Sequence, residues 1–220
     1  MVTNPKVMKT DTIIGSLLER YPGLNLVRNS ISKAAEIITG CYSSGGKLLL
    51  CGNGGSSSDA EHVTGELMKS FEIRRPLDES LRSRLSEIGG KQGDRLGLKL
   101  EHALPAICLS SQTALVSAIA NDTGNEMVFA QQLMGYGNEN DVLIAISTSG
   151  NSMNVVNACI TAKALNLTVI ALTGDTGGMM KNYSDVLINV PESNTALVQE
   201  LHLPVLHTLC RLTETHFYGK

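Results

Sequence analysis

Val142-Leu143-Ile144-Ala145-Ile146-Ser147-Thr148-Ser149-Gly150-Asn151-Ser152 is the stretch on which the fold turns. Five apolar residues in a row, without polar alternation, read as a strand buried on both faces. The polar cluster behind them reads as the turn into a helix, because Ser, Thr and Asn all make good N-caps. The same rhythm recurs outward in both directions. Lys47-Leu48-Leu49-Leu50-Cys51 runs into Gly52-Asn53-Gly54-Gly55. Ala106–Leu109 runs into Ser110-Ser111, Leu167–Leu172 into Thr173-Gly174, and Val186–Val190 into Pro191. Helical patterns lie between the runs at about 58–71, 112–135, 151–165 and 176–182, with a last one from about 196 to 216. Strand–helix alternation predicts an α/β fold: a doubly wound, five-stranded parallel sheet flanked by helices. Such sheets bind ligands at the carboxyl ends of their strands, where the Gly/Ser/Thr clusters fall.

Two helical patterns precede the first strand. Thr10 or Asp11 is a candidate cap for the first, with Ile13, Ile14, Leu17 and Leu18 as its apolar stripe, and Pro22-Gly23 ends it. The second spans about Leu24 to Cys41. One segment breaks the alternation. From about Leu77 to Leu104 the chain reads as two short amphipathic helices around Gly89-Gly90, a helical insertion between the first βα unit and the second strand. The 220 residues fit a single domain, with N-terminal helices over 1–45 and the insertion near 77–104.

Composition narrows the function. With 42% hydrophobic and 18% charged residues the chain can bury a core. A net charge of −3, without any basic run, argues against a nucleic-acid partner. No apolar stretch approaches the ~20 residues of a membrane span, and the N-terminus does not read as a signal peptide. Cys41, Cys51, Cys108, Cys159 and Cys210 are odd in number and contain no CxxC, so buried reduced thiols in a cytoplasmic protein are expected.

The loops suggest the ligand. Ser147–Ser152 offers four hydroxyls and a run of backbone N–H groups at a helix N-terminus, which suits a phosphate monoester. A helix cap alone needs one such residue, so the cluster exceeds that requirement. Gly52-Asn53-Gly54-Gly55-Ser56 permits close backbone approach to a ligand. It is neither a Walker A loop nor a dinucleotide fingerprint, so no nucleotide cofactor is expected. His62 and Glu66 are four apart and share a helix face behind this loop. Gln199, His202 and His207 lie on the last helix, where a lone histidine is ordinarily structural. Gln199 and His207 differ by about 12 Å of helical rise, so one ion reaches both only if the helix bends, for which Pro204 is placed. Otherwise they belong to separate sites, or to one site built from two subunits.

Taken together, Cys51–Ser56, Asp59-Ala60-Glu61-His62, Ala120-Asn121-Asp122, Ile146–Ser152, Leu172-Thr173-Gly174 and Gln199-Glu200-Leu201-His202 resemble the phosphoheptose isomerases of the SIS-domain group. The resemblance spans nearly the whole chain, in order. It implies a flavodoxin-like strand order and the isomerisation of sedoheptulose 7-phosphate to D-glycero-D-manno-heptose 7-phosphate. It also implies a homotetramer with sites at subunit interfaces. Carried over, Asn53, Gly54, Gly55, Ser56, Asn121, Asp122, Ser147, Thr148, Ser149, Ser152 and Gln199 contact the sugar phosphate. Glu66 is the base and substrate contact, His207 the acid. Some members bind zinc through the counterparts of His62, Glu66, Gln199 and His207. The chemistry agrees: an enediol route needs a carboxylate to shuttle a proton and a second group to polarise the carbonyl, which zinc could also do. Tight zinc ligation and free base action compete for Glu66.

Three features depart from the common bacterial enzymes. Ser57-Ser58 stands where they carry His-Cys, Thr195–Val198 lacks an Asp-Arg, and the insertion is extra. These bear on the sugar and leave the phosphate loops intact. Two other readings compete: a non-catalytic SIS protein of the replication-initiator-associating type, and a sugar-phosphate sensor. Glu66, which the first lacks, and the absence of a DNA-binding pattern, which the second needs, favour the enzyme.

Overall fold

The computed structural model describes residues 5–219. Its sheet is all parallel, in the order β2-β1-β3-β4-β5. The strands are β1 Leu48–Cys51, β2 Ala106–Cys108, β3 Val142–Ile146, β4 Thr168–Thr173 and β5 Val186–Asn189. Register is fixed by rows such as Leu50↔Ile144 and Ile144↔Ile170. Every residue of β1 and β3 is buried, as continuous apolar runs require.

Side-chain alternation divides the core into two layers. Leu48, Leu50, Ile144, Ile146, Ile170 and Leu172 face one layer. There they meet α1 (Pro5–Arg20), α2 (Arg28–Ser43), α3 (Gly55–Met68) and α9 (Thr195–Tyr218). Leu49, Cys51, Leu143, Ala145, Val169 and Ala171 face the other. That layer is closed by α6 (Thr113–Asp122), α7 (Val128–Tyr136) and α8 (Met153–Ala164). The five cysteines are free and buried. Among the described residues no helix is long and apolar enough to cross a membrane.

Four helix readings are corrected. The first helix begins at Pro5, so neither Thr10 nor Asp11 caps it. Residues 22–27 form a 3-10 turn, and α2 begins only at Arg28. The stretch 112–135 is two helices, because Gly124 takes φ 112 and breaks the run. The stretch 176–182 shortens to a 3-10 turn over Met179–Asn182 behind the positive-φ pair Gly177-Gly178. The insertion is the expected helix pair, α4 (Glu79–Gly89) and α5 (Lys91–Lys99), turning at Gly90 with φ 51. It rises from an antiparallel Pro76↔Glu101 bridge. Gly93 and Gly97 let α5 press onto α4 near Leu85 and Arg82.

Candidate active site

Strand order decides where the loops meet. The chain leaves β1, goes to β2 on one side, then crosses to β3 on the other. The loops after β1 and β3 therefore flank the topological switch point, where a crevice opens at the carboxyl ends of the strands. These are Gly52–Ser56 and Ser147–Ser152. The first is tied to the opening turn of α8, just behind the second, by a reciprocal amide pair, each of Asn53 and Asn154 donating to the other at 2.9 Å.

The β3 loop is shaped for an anion. Ser152 stands at the N-cap of α8 but makes no side-chain cap hydrogen bond. Instead its hydroxyl accepts from Ser147 at 3.1 Å. The backbone N–H groups of Thr148, Ser149 and Ser152 donate to nothing among the described residues. Hydroxyls and free N–H groups at a helix N-terminus are the donors that an anion such as a phosphate ester can accept from. Gly150 has φ 66, and a Cβ there would lie 2.3 Å from the Gly177 carbonyl oxygen, so the loop is closed from behind by backbone. Asn151 serves the scaffold, its side-chain oxygen accepting from the Met179 N–H at 2.9 Å.

In the β1 loop, Gly54 takes φ 54 and Ser56 is buried. A Cβ on Gly55 would lie 2.6 Å from Gln199 Nε2, so the missing side chain makes room for the Gln199 amide. Sequence position gave Gln199 no such neighbour. Helices α3 and α9 then run side by side in the same direction. Gln199 meets Gly55, and His207, eight residues on, meets His62, seven residues on.

The ionisable cluster lies along this seam. His62 Nε2 and His207 Nε2 face each other at 2.9 Å. Glu66 Oε1 is 3.6 Å from His62 Nε2, and its Oε2 accepts from Lys69 Nζ at 3.2 Å. The Phe71 ring lies against His207 with centroids 5.4 Å apart. His207 is held below the usual histidine range, first by burial and then by the charge of His62, with Glu66 opposing. That favours the neutral ring, which can donate an N–H without carrying a charge. Two imidazole nitrogens and a carboxylate fit zinc in kind. Among the described residues, no three or more His, Cys, Asp or Glu side chains are placed to hold a metal ion.

Two side chains add to the residues expected. Asn154 is one. The other is Asp59, three residues before His62, with one carboxylate oxygen buried and unpartnered. Burial raises its carboxyl, against the lowering influence of His62. Asn121 and Asp122 are placed differently. They close α6, are exposed, and hydrogen-bond to each other at 2.8 Å, not to either loop. His202 is structural. It is buried, with Nε2 3.2 Å from the Thr173 carbonyl.

Position along α3 separates the groups. The helix starts at the loops and runs back along the sheet. The Leu67 carbonyl near its end accepts from the N–H of Leu104, two residues before β2 begins. Helical rise puts His62 about 10 Å and Glu66 about 16 Å from Gly55.

A model described as the SIS domain matches residues 24–92 and 95–174. A phosphoheptose isomerase of Shewanella sp. (strain ANA-3) is 39% identical over 203 residues, 91% of this chain and 90% of the relative. The chain belongs to the phosphoheptose isomerase family. A family member from Campylobacter jejuni is 40% identical over 192 residues, 87% of this chain and 89% of its own. The solved phosphoheptose isomerase of Francisella tularensis superposes with TM-score 0.74 at 32% identity, covering 96% of this chain and all (100%) of the other. That of Neisseria gonorrhoeae gives 0.72 at 31%, covering 94% and 98%. The family's fold is the one found here.

Proposed function

We propose that this chain interconverts sedoheptulose 7-phosphate and D-glycero-D-manno-heptose 7-phosphate, as an aldose–ketose isomerase of heptose biosynthesis. The observation that carries the reading is the seam where His62 and Glu66, on the helix that opens from the glycine loop, meet His207 on the last helix. The Ser147–Ser152 loop holds the phosphate through hydroxyls and N–H groups. Asn53, Gly54, Gly55, Ser56 and Gln199 place the sugar, with Asn121 and Asp122 as further contacts. The Glu66 carboxylate removes a proton from C1 of the ketose. His207 gives its N–H proton to the oxygen on C2, and the C1–C2 enediol forms. Glu66 then returns its proton to C2, while His207 takes the proton of the C1 hydroxyl, leaving the aldehyde. Protons and electrons balance within the sugar and two side chains.

The reading also takes the enzyme to be a cytoplasmic homotetramer whose sites lie between subunits. The arrangement supports this, since Glu66 lies about 16 Å of helical rise along α3 from the glycine loop, where the loops of a second copy could approach it. Glu66 and His207 of one copy then serve loops of another. Zinc is the proposed metal, with His62, Glu66 and His207 of one copy and Gln199 of another as ligands, since Gln199 and His207 of one chain sit about 12 Å apart along α9. When bound it supplies Lewis-acid polarisation of the carbonyl. Metal analysis of the purified tetramer checks this: about one zinc per chain, lost in His62→Ala, supports it, and a metal-free active enzyme refutes it.

The direct test is turnover. Purified protein given sedoheptulose 7-phosphate should yield the aldose phosphate by NMR. No conversion, with tight capture of a replication-initiator protein instead, would favour the non-catalytic alternative.

A further inference from the structure

Arg75 and Glu214 are the most deeply buried charges among the described residues, each about 1% exposed. They pair at 2.8 Å through Arg75 Nη2 and at 2.9 Å through Nε. A buried pair is by itself weak evidence for stability, because desolvation offsets the attraction. Its remaining bonds say what it holds. Arg75 Nη1 donates to the Leu67 carbonyl at 2.7 Å and Nη2 to the Glu66 carbonyl at 3.2 Å. The guanidinium thus caps α3 at the residue that carries the base. Glu214 accepts from the backbone N–H groups of Phe71, Glu72 and Ile73 at 2.8–2.9 Å. That fixes the turn from which the Phe71 ring reaches His207. Glu214 also lies seven residues after His207 on α9, two turns along the same stripe. The Tyr218 ring covers the guanidinium at 5.2 Å.

We propose that Arg75 and Glu214 are the positioning pair of the reaction, clamping the end of α3 to α9 so that Glu66 and His207 keep one fixed separation. Arg75 sets the backbone of Glu66. Glu214 sets His207 twice, through its own helix and through Phe71. Neither touches substrate. The inference rests on the reading of Glu66 as base. Misplacement of a catalytic group by about 1 Å can cost on the order of a hundredfold in rate, so a clamp at this point governs turnover more than binding.

Arg75→Lys keeps the charge opposite Glu214 and removes the paired bonds to the two carbonyls. We expect a cooperatively folded protein whose kcat falls at least about tenfold while KM for sedoheptulose 7-phosphate stays within about twofold. In a Glu66→Asp background, where the carboxylate is already displaced, the same change should cost less than about twofold in kcat. If Arg75→Lys does not fold, Glu214→Gln, which keeps an acceptor for the N–H groups, carries the same expectations. Unchanged kcat in a folded variant overturns the proposal. So does an undiminished loss in the Glu66→Asp background. The two readings fail separately. Full activity of Glu66→Gln removes the base itself, whereas an inactive Glu66→Gln beside a fully active Arg75→Lys removes only the clamp.

Discussion

His202 shows what one buried side chain does to the whole curve of stability. Burial pushes its pKa down from an ordinary 6.5 to about 4, against the opposing hydrogen bond to Thr173. Between those values the unfolded chain binds a proton that the folded chain refuses. Stability contributed by the neutral ring is complete above pH 6.5 and is lost as pH falls towards 4. The loss amounts to about 3 kcal/mol, an order-of-magnitude figure. Urea unfolding at pH 7 and pH 4.5 should show this drop, and His202→Leu should flatten it while lowering stability at pH 7. An equal pH dependence in the variant would show that other groups cause it. Much at this scale was legible beforehand: a lone histidine on the last helix reads as structural, and His202 is. Asn154 and the burial of Asp59 were not legible. Their significance comes from a partner 101 residues away in one case and from packing in the other. No local pattern encodes either.

At the scale of elements, the seam between α3 and α9 rests on one missing side chain. Gly55 takes no positive φ, so alanine suits its backbone. The added methyl collides only with the Gln199 amide, the far end of a flexible side chain. Gly55→Ala should therefore change unfolding free energy by less than about 1 kcal/mol while kcat/KM falls at least about tenfold. A parallel loss of stability and activity would mean that Gly55 serves packing instead. The strands were readable because burial on both faces leaves continuous apolar runs. Helix breaks were read less well. The stretch 112–135 keeps its apolar periodicity through Gly124, and only the φ of 112 at that glycine ends the helix. Pro204 lies inside α9, which runs from Thr195 to Tyr218 around it. Burial of Pro204, Val205 and Leu206 in the core holds the helix together there.

For the whole molecule, the proposal that each site takes its loop from one copy and its base from another makes a prediction of its own. Ser149→Asp places a carboxylate where phosphate binds, and Glu66→Gln removes the base, so each homo-oligomer should be inactive. Refolded together, they should recover about a quarter of wild-type activity, because random mixing gives that share of sites one intact loop and one intact base. No recovery in verified mixed oligomers would place each site within a single chain. Sequence alone could not show how far apart loop and carboxylate stand, since that distance appears only once α3 is seen to run back along the sheet. The measurement closest to the central claim follows hydrogen at C2. Wild-type enzyme turning over sedoheptulose 7-phosphate in deuterium oxide should place deuterium at C2 of the aldose, in the share of turnovers in which the Glu66 carboxyl exchanges with solvent before it returns the proton, and Glu66→Gln, still folded, should place none. Deuterium at C2 at the wild-type rate in Glu66→Gln would contradict the account, since another group would then be moving the proton.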